Sequence, residues 1–248
     1  MLWVSADPGC GKSVLAKYLV DFILPTTKSR TVCYFFFKDD FEDQRNVVSA
    51  LCCILHQLFR QKPLLLSDAV LRQFDIEGES FTNSLGELWN ALINVAKDEN
   101  AGEIICLLDA LDECEDQERS LLAQKLCQLY GTERKFNLKF LITSRPYGGI
   151  RYGFQPLDIP ELPMVHLSGE SEVEIEKISQ EINVLIEAKV QDIGARLRLT
   201  DDEQVLLLRQ LMRVPYRTYL WVHLTLDLIE NDIYIEKSGI VKATSQLP

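Results

Sequence analysis

The sequence predicts an α/β protein in which a mainly parallel β-sheet is flanked by helices and followed by a smaller, all-helical part. Three observations carry this. Apolar, β-branched runs of strand length alternate with amphipathic helical stripes, a Gly-Lys-Ser turn joins the first strand to the first helix, and from about Ser171 only helical stripes continue. Strands separated by helices need crossover connections, and crossovers lay the strands parallel with both sheet faces covered.

Taken in order, Leu2, Trp3 and Val4 form a short apolar strand. The turn Ala6-Asp7-Pro8-Gly9-Cys10-Gly11-Lys12-Ser13 follows, and Val14, Leu15, Leu19, Val20 and Ile23 then recur as the inner stripe of a helix. Pro25-Thr26-Thr27-Lys28 breaks that pattern ahead of Thr31–Phe37, a β-branched and aromatic run that reads as a buried strand. Val47, Val48, Leu51, Ile54, Leu55 and Leu58 mark a helix ended or broken by Pro63, and Leu85, Leu88, Trp89, Leu92, Ile93 and Ala96 mark another beginning near Thr82 or Asn83. Both stripes are expected to face the core rather than a binding groove. Gly102 leads into the strand Glu103–Asp109, the helix carrying Leu121, Leu122, Leu126 and Leu129 follows, and Leu138–Arg145 is the next strand. Met164–Leu167 reads as a fifth, shorter strand. Three helices close the chain, through Ile175 to Ile186, Val205 to Met212 and Tyr219 to Ile229, with Thr200 as N-cap ahead of Asp201 and Asp202. The expected division is therefore residues 1–168 for the sheet core and 169–248 for a helical subdomain, read as incomplete.

At 248 residues with 47% hydrophobic residues the chain can bury a sizeable core. The balance of 26 Lys+Arg against 37 Asp+Glu argues against a general nucleic-acid surface, which needs clustered positive charge. Seven cysteines, Cys10, Cys33, Cys52, Cys53, Cys106, Cys114 and Cys127, lie mostly in apolar surroundings without a paired CxxC set, so they read as reduced thiols of a cytoplasmic protein. His56, His166 and His223 are too scattered for a zinc site. Neither a membrane-spanning stretch nor a signal peptide is expected. The first residue falls almost on the strand that feeds the turn, which leads us to expect a fragment of a longer protein or a truncated gene model.

The turn matches the pattern GxxxxGKS/T, with Ala6 in the place of the first glycine and Val14 opening the helix. Glycines let successive main-chain N–H groups converge on a phosphate, and the helix that follows adds the positive end of its dipole. Lys12 can then reach the β- and γ-oxygens, and the Ser13 hydroxyl can ligate Mg2+. Residues 6–14 are thus the expected nucleotide-binding segment, for ATP or GTP. Cys10 reads as a small residue filling the tight turn, against the reading of an oxidisable thiol at a helix N-terminus. A metal needs a second partner, and Asp109 ends an apolar strand where it can hold the Mg2+ shell opposite Ser13. In Asp109-Ala110-Leu111-Asp112-Glu113 either later acid can orient a water toward the γ-phosphate, with Glu113 favoured, or the two merely cap the next helix. Arg145, in Thr143-Ser144-Arg145-Pro146, can sense the γ-phosphate by forked hydrogen bonds, against the reading of a surface arginine.

The segments "DPGCGKS", "LLDALDEC", "FLITSRP" and "RTYLWVHL", in that order along nearly the whole chain, resemble the NACHT domain of fungal STAND-class P-loop NTPases. That group includes relatives of NOD-like receptors and the nephrocystin-like modules of fungal incompatibility proteins. The resemblance implies a five-stranded sheet in the order 5-1-4-3-2, Asp109 as metal-site acid, Asp112 or Glu113 near the attacking water, and Arg145 in the sensor position. It also implies an effector domain before such a module and ligand-recognising repeats after it, with self-association through the NTPase domain. Pro215 reads as a helix break rather than a nucleotide contact. The leading expectation is a slowly hydrolysing ATP or GTP switch. A non-hydrolysing interaction scaffold is the alternative, and a small-molecule kinase, which would bring an arginine-rich lid, ranks last.

Overall fold

A computed structural model of the protein describes residues 1–131, 137–154, 165–168, 172–214 and 217–236. Five strands, β1 (Leu2–Ser5), β2 (Arg30–Phe36), β3 (Glu103–Asp109), β4 (Leu138–Ser144) and β5 (Val165–Ser168), lie in the order β2-β3-β4-β1-β5, which read from the other edge is 5-1-4-3-2. All four pairings are parallel, with Cys33 beside Cys106, Leu107 beside Leu141 and Leu2 beside both Leu141 and Val165. Met164, expected to open the fifth strand, lies outside the described residues.

Alternation along the strands assigns each side chain to a face. Trp3, Cys33, Phe35, Phe37, Ile104, Cys106, Leu108, Leu138, Phe140 and Ile142 share one apolar cluster. On this face lie α2 (Val47–Gln61), α5 (Leu85–Ala96) and α6 (Asp116–Tyr130), which bury Leu51, Ile54, Leu58, Leu88, Leu92, Leu122 and Leu126. Asn46 caps α2 by accepting from the Ser49 amide at 2.7 Å. Ser84 caps α5 through the Glu87 amide, so that helix starts at Leu85 rather than near Thr82 or Asn83. The Trp89 ring stacks on Phe140, centroids 5.9 Å apart, and Trp3 meets Phe154 of α7 (Gly148–Phe154) at 5.2 Å.

The opposite face holds a smaller cluster of Ala16, Leu107 and Leu141, joined by Leu2, Leu19, Val20 and Phe36. Ala16 belongs to α1 (Lys12–Tyr18), which widens into a π-helical turn at Leu19–Ile23. Here the structure corrects the expected stripe. Leu19 and Val20 pack inward, but Val14 is 74% exposed and Leu15 and Ile23 are also exposed. The i→i+5 bond of the π-helical turn, from the Leu24 amide to the Leu19 carbonyl at 2.7 Å, takes Ile23 off the α-helical spacing, whereas Val14 and Leu15 precede it and lie on the exposed side of the regular helix. Two helices that the apolar spacing did not suggest, α3 (Asp68–Glu77) and α4 (Glu79–Thr82), meet at Gly78, whose φ of 58° lets the chain turn between them.

By contact density the chain forms two units: Met1–Ala6 with Lys12–Ser168, and Asp7–Gly11 with Gly169–Pro248. The second contains α8 (Glu172–Leu197), α9 (Asp201–Met212) and α10 (Tyr219–Glu236) around Ile182, Ile186, Val190, Ile193, Leu207, Leu211, Val222, Leu226 and Ile229. Thr200 caps α9 as expected and completes a capping box with Glu203. None of the seven cysteines forms a disulfide. Burial pushes the Cys33 and Cys114 thiols up to about 12, and that of Cys106 well above its ordinary value, so these three stay protonated.

Candidate functional site

The turn after β1 is built from what its backbone demands. Gly9 and Gly11 have φ of 78° and 83°, a region that a side chain opposes, so glycine is required at both. Ala6 needs no such freedom. Its amide donates to the Ser144 carbonyl at 3.3 Å, continuing the strand pairing, and it is 8% exposed. Alanine thus replaces glycine at a position where extended backbone suffices. Lys12 opens α1 and its Nζ donates to the Ala6 carbonyl at 2.7 Å, while Ser13 and Val14 are exposed on the first turn.

Within the second unit, the Gly9 carbonyl accepts from the Leu220 amide at 3.2 Å. A Cβ on Gly9 would lie 2.6 Å from Thr218 Oγ1, and one on Gly11 would lie 3.7 Å from the Tyr219 ring. Tyr219 in turn donates its hydroxyl to Glu181 at 2.8 Å. These contacts of Thr218, Tyr219 and Leu220 carry no sequence signal beyond the "RTYLW" string. Pro215 lies outside the described residues.

Strand alternation places Asp109 and Thr143 on the same sheet face as Leu107 and Leu141, the face that α1 covers. Asp109 is 2% exposed, and its Oδ1 accepts from Thr143 Oγ1 at 2.6 Å. Thr143 Oγ1 also accepts from the Ala110 amide at 2.9 Å, so one hydroxyl fixes both the carboxylate and the residue after it. Ala110 itself sits in the left-handed region, φ 55° and ψ 49°, which turns the chain sharply into the helical turn Leu111–Glu113. Thr143 was not singled out in the sequence. A hydroxyl residue two positions before the arginine was its only trace.

Asp112 and Glu113 leave that turn for different surroundings. The Asp112 side chain is 3% exposed, its Oδ1 accepts from the Arg145 amide at 2.9 Å and its Oδ2 lies 3.1 Å from Arg145 Nε. Glu113 is half-buried, and its Oε1 is 3.9 Å from Arg145 Nη2. Burial first, then the negative charges of Asp112 and Asp39, raise the Glu113 carboxyl above its ordinary value, opposed by a hydrogen bond from the Asp39 amide and by Arg145. The N-cap of α6 is Glu115, so neither Asp112 nor Glu113 caps that helix. Arg145 Nη1 also donates to the Tyr147 hydroxyl at 2.9 Å, and its guanidinium lies 5.9 Å from the Tyr147 ring centre. Arg145 is therefore engaged on several sides rather than loose on the surface.

The residues expected to hold a metal suit Mg2+. The Ser13 hydroxyl and the Asp109 carboxylate are hard oxygen donors, and among the described residues no group of three or more His, Cys, Asp or Glu side chains could hold an ion. Such a sparse set fits a cation that keeps water and phosphate oxygens as its other ligands. No helix among the described residues is long and apolar enough to cross a membrane.

The sequence matches the family described as nephrocystin 3, N-terminal, over residues 1–145, and a domain of unknown function, DUF7069, over residues 178–247. It is 22% identical over 253 residues to the vegetative incompatibility protein HET-E-1 of Podospora anserina, covering 100% of this chain and 18% of that protein. In structure it resembles a Walker-type ATPase of Pyrococcus abyssi, with a TM-score of 0.50, 12% identity and coverage of 98% of this chain and 65% of the other. The Drosophila ORC bound to DNA gives a TM-score of 0.49 at 13% identity, over 100% of this chain and 60% of that one. The chain thus spans under a fifth of the fungal protein and less than two thirds of each solved structure.

Proposed function

The chain belongs to the nephrocystin 3, N-terminal family, and we propose that it is a regulatory nucleotide-binding module of the NACHT kind, taking ATP or GTP with Mg2+ and hydrolysing it slowly. One observation carries the reading: alternation puts Asp109 and its Thr143 partner on the face covered by α1, the helix that begins with Lys12 and Ser13. A phosphate turn after β1 and an acid at the end of β3, with β4 between the two strands, are what a triphosphate and its cation require.

In this reading residues 6–14 bind the phosphates, Lys12 exchanging the Ala6 carbonyl for phosphate oxygens. Ser13 and Asp109 hold the Mg2+, which when bound neutralises charge on the β- and γ-oxygens. Glu113 orients the attacking water. Asp112 is unsuited to that work because both of its oxygens are engaged by Arg145. Water oxygen bonds to the γ-phosphorus as the bond to the β-bridging oxygen breaks, giving nucleoside diphosphate and inorganic phosphate, and Arg145 stabilises the charge on the γ-oxygens.

Residues 1–168 form the nucleotide-binding core of this proposal and 169–248 the helical subdomain. Resemblance to an incompatibility protein supports placing the module inside a longer cytoplasmic signalling protein of the STAND class, where nucleotide state changes conformation or self-association. The test is titration of fluorescent ATP, ADP, GTP and GDP with and without Mg2+, followed by phosphate release. Binding of one nucleotide pair that Lys12→Ala abolishes is the expected result. Absence of binding to all four, with Lys12→Ala indistinguishable from wild type, would reject the proposal. Binding without phosphate release that Glu113→Gln leaves unchanged would favour a non-hydrolysing scaffold.

A further inference from the structure

We propose that Tyr147 and Asp112 form a bracket that positions the Arg145 guanidinium, making Tyr147 a determinant of how this site tells a nucleoside triphosphate from a diphosphate. The inference rests on the nucleotide-binding reading above and adds a residue that the motifs do not contain.

A lone arginine at the end of a strand samples many rotamers, and fixing it when a phosphate arrives lowers affinity. Here that freedom is already removed. Asp112 accepts from the Arg145 amide through Oδ1 at 2.9 Å and faces Arg145 Nε through Oδ2 at 3.1 Å, so main chain and side chain close a ring on one buried carboxylate. On the other side Nη1 donates to the Tyr147 hydroxyl at 2.9 Å, with the phenol ring 5.9 Å from the guanidinium carbon. Pro146 lies between the two residues, and its fixed φ limits how the chain can carry Tyr147 back toward Arg145.

A guanidinium has five N–H donors. Tyr147 takes one on Nη1 and Asp112 faces Nε as an ion pair, while Nη2 is 3.9 Å from Glu113 Oε1, too far for a hydrogen bond. The bracket therefore leaves the Nη2 edge for a forked contact with an anion, in a group whose side chain is 37% exposed. A core role does not account for Tyr147. The residue is about half exposed, and among the described residues its hydroxyl and ring meet Arg145.

The test titrates fluorescent ATP and ADP, and GTP and GDP in parallel, onto wild type, Tyr147→Phe, Arg145→Ala and the double variant, with Lys12→Ala as the binding control. Removing one hydroxyl should weaken triphosphate binding about 3- to 10-fold, the scale of one hydrogen bond, and leave diphosphate binding within about 2-fold. Arg145→Ala should weaken triphosphate binding about 10- to 100-fold. Adding Tyr147→Phe to it should change nothing further, because the hydroxyl acts through the arginine. Equal weakening of di- and triphosphate, no effect at all, or an effect that persists without Arg145 would each overturn the proposal. Failure of wild type to bind any nucleotide would remove the function itself, whereas Lys12-dependent binding indifferent to Tyr147 would remove the bracket alone. Asp112 is buried at a tight turn, so the test is placed on Tyr147, whose loss leaves the core intact.

Discussion

At the scale of single residues, Glu113 carries a sign that can be measured. Burial, followed by the charges of Asp112 and Asp39, raises its carboxyl above the ordinary value. A water-orienting acid works ionised, so phosphate release should climb with pH through that raised value, and Asp39→Asn should move the limb to lower pH by removing a negative neighbour. Stability runs the other way. A carboxyl with a raised folded-state pKa contributes stability below its unfolded value, and that contribution is lost as pH rises through the folded one. Glu113→Gln should therefore gain melting temperature over wild type on going from acid to neutral pH; a gain confined to acid pH would show that the carboxylate is not disfavoured in the fold. The turn of the candidate site was legible at this scale because Gly9 and Gly11 take a backbone shape that few residue types satisfy, with Lys12 and Ser13 following them at fixed spacing. Thr143 and Tyr147 were not legible, since a hydroxyl acquires its role only through the partner that a neighbouring strand or a proline step brings to it.

Among the elements, β2 lies at the edge of the sheet with its outward amides and carbonyls open to another strand. Two glutamines on successive turns of α2 close it. Gln57 accepts from the Tyr34 amide at 3.0 Å and donates to the Tyr34 carbonyl at 2.8 Å, as an added strand would. Gln61 donates to the Val32 carbonyl at 3.0 Å and accepts from the Thr26 hydroxyl at 2.7 Å. Gln57→Ala with Gln61→Ala should cost about 1–3 kcal/mol in chemical denaturation and promote self-association seen by light scattering. A variant as stable and monodisperse as wild type would show the edge to be protected by other means. The strands were readable because both faces are buried, which writes continuous apolar runs into β2, β3 and β4. The α1 stripe misled at Ile23 because the helix widens at Leu19, and at Val14 and Leu15 because those apolar side chains stand exposed, while α3 escaped notice because none of its described side chains joins the main cluster.

For the molecule as a whole, the two units have separate apolar clusters, one built around the sheet and one from α8, α9 and α10. Ile186, fully buried in the second, is a direct probe of that separation. Ile186→Ala should destabilise by about 2–5 kcal/mol, and hydrogen exchange should show the lost protection in α8–α10 while the paired amides of β2 and β3 keep theirs. Uniform loss across both units would mean that they melt as one. The helical tail was foreseen as a change of rhythm in the sequence, but the grouping of Asp7–Gly11 with it was not. Gly9 shows what that grouping entails. With Thr218 Oγ1 seated 2.6 Å from where a methyl would stand, replacing this glycine injures the protein before any ligand is added. A worker choosing a binding-dead control should leave that position alone and alter the lysine three places on, whose amine can be lost without asking the main chain to move.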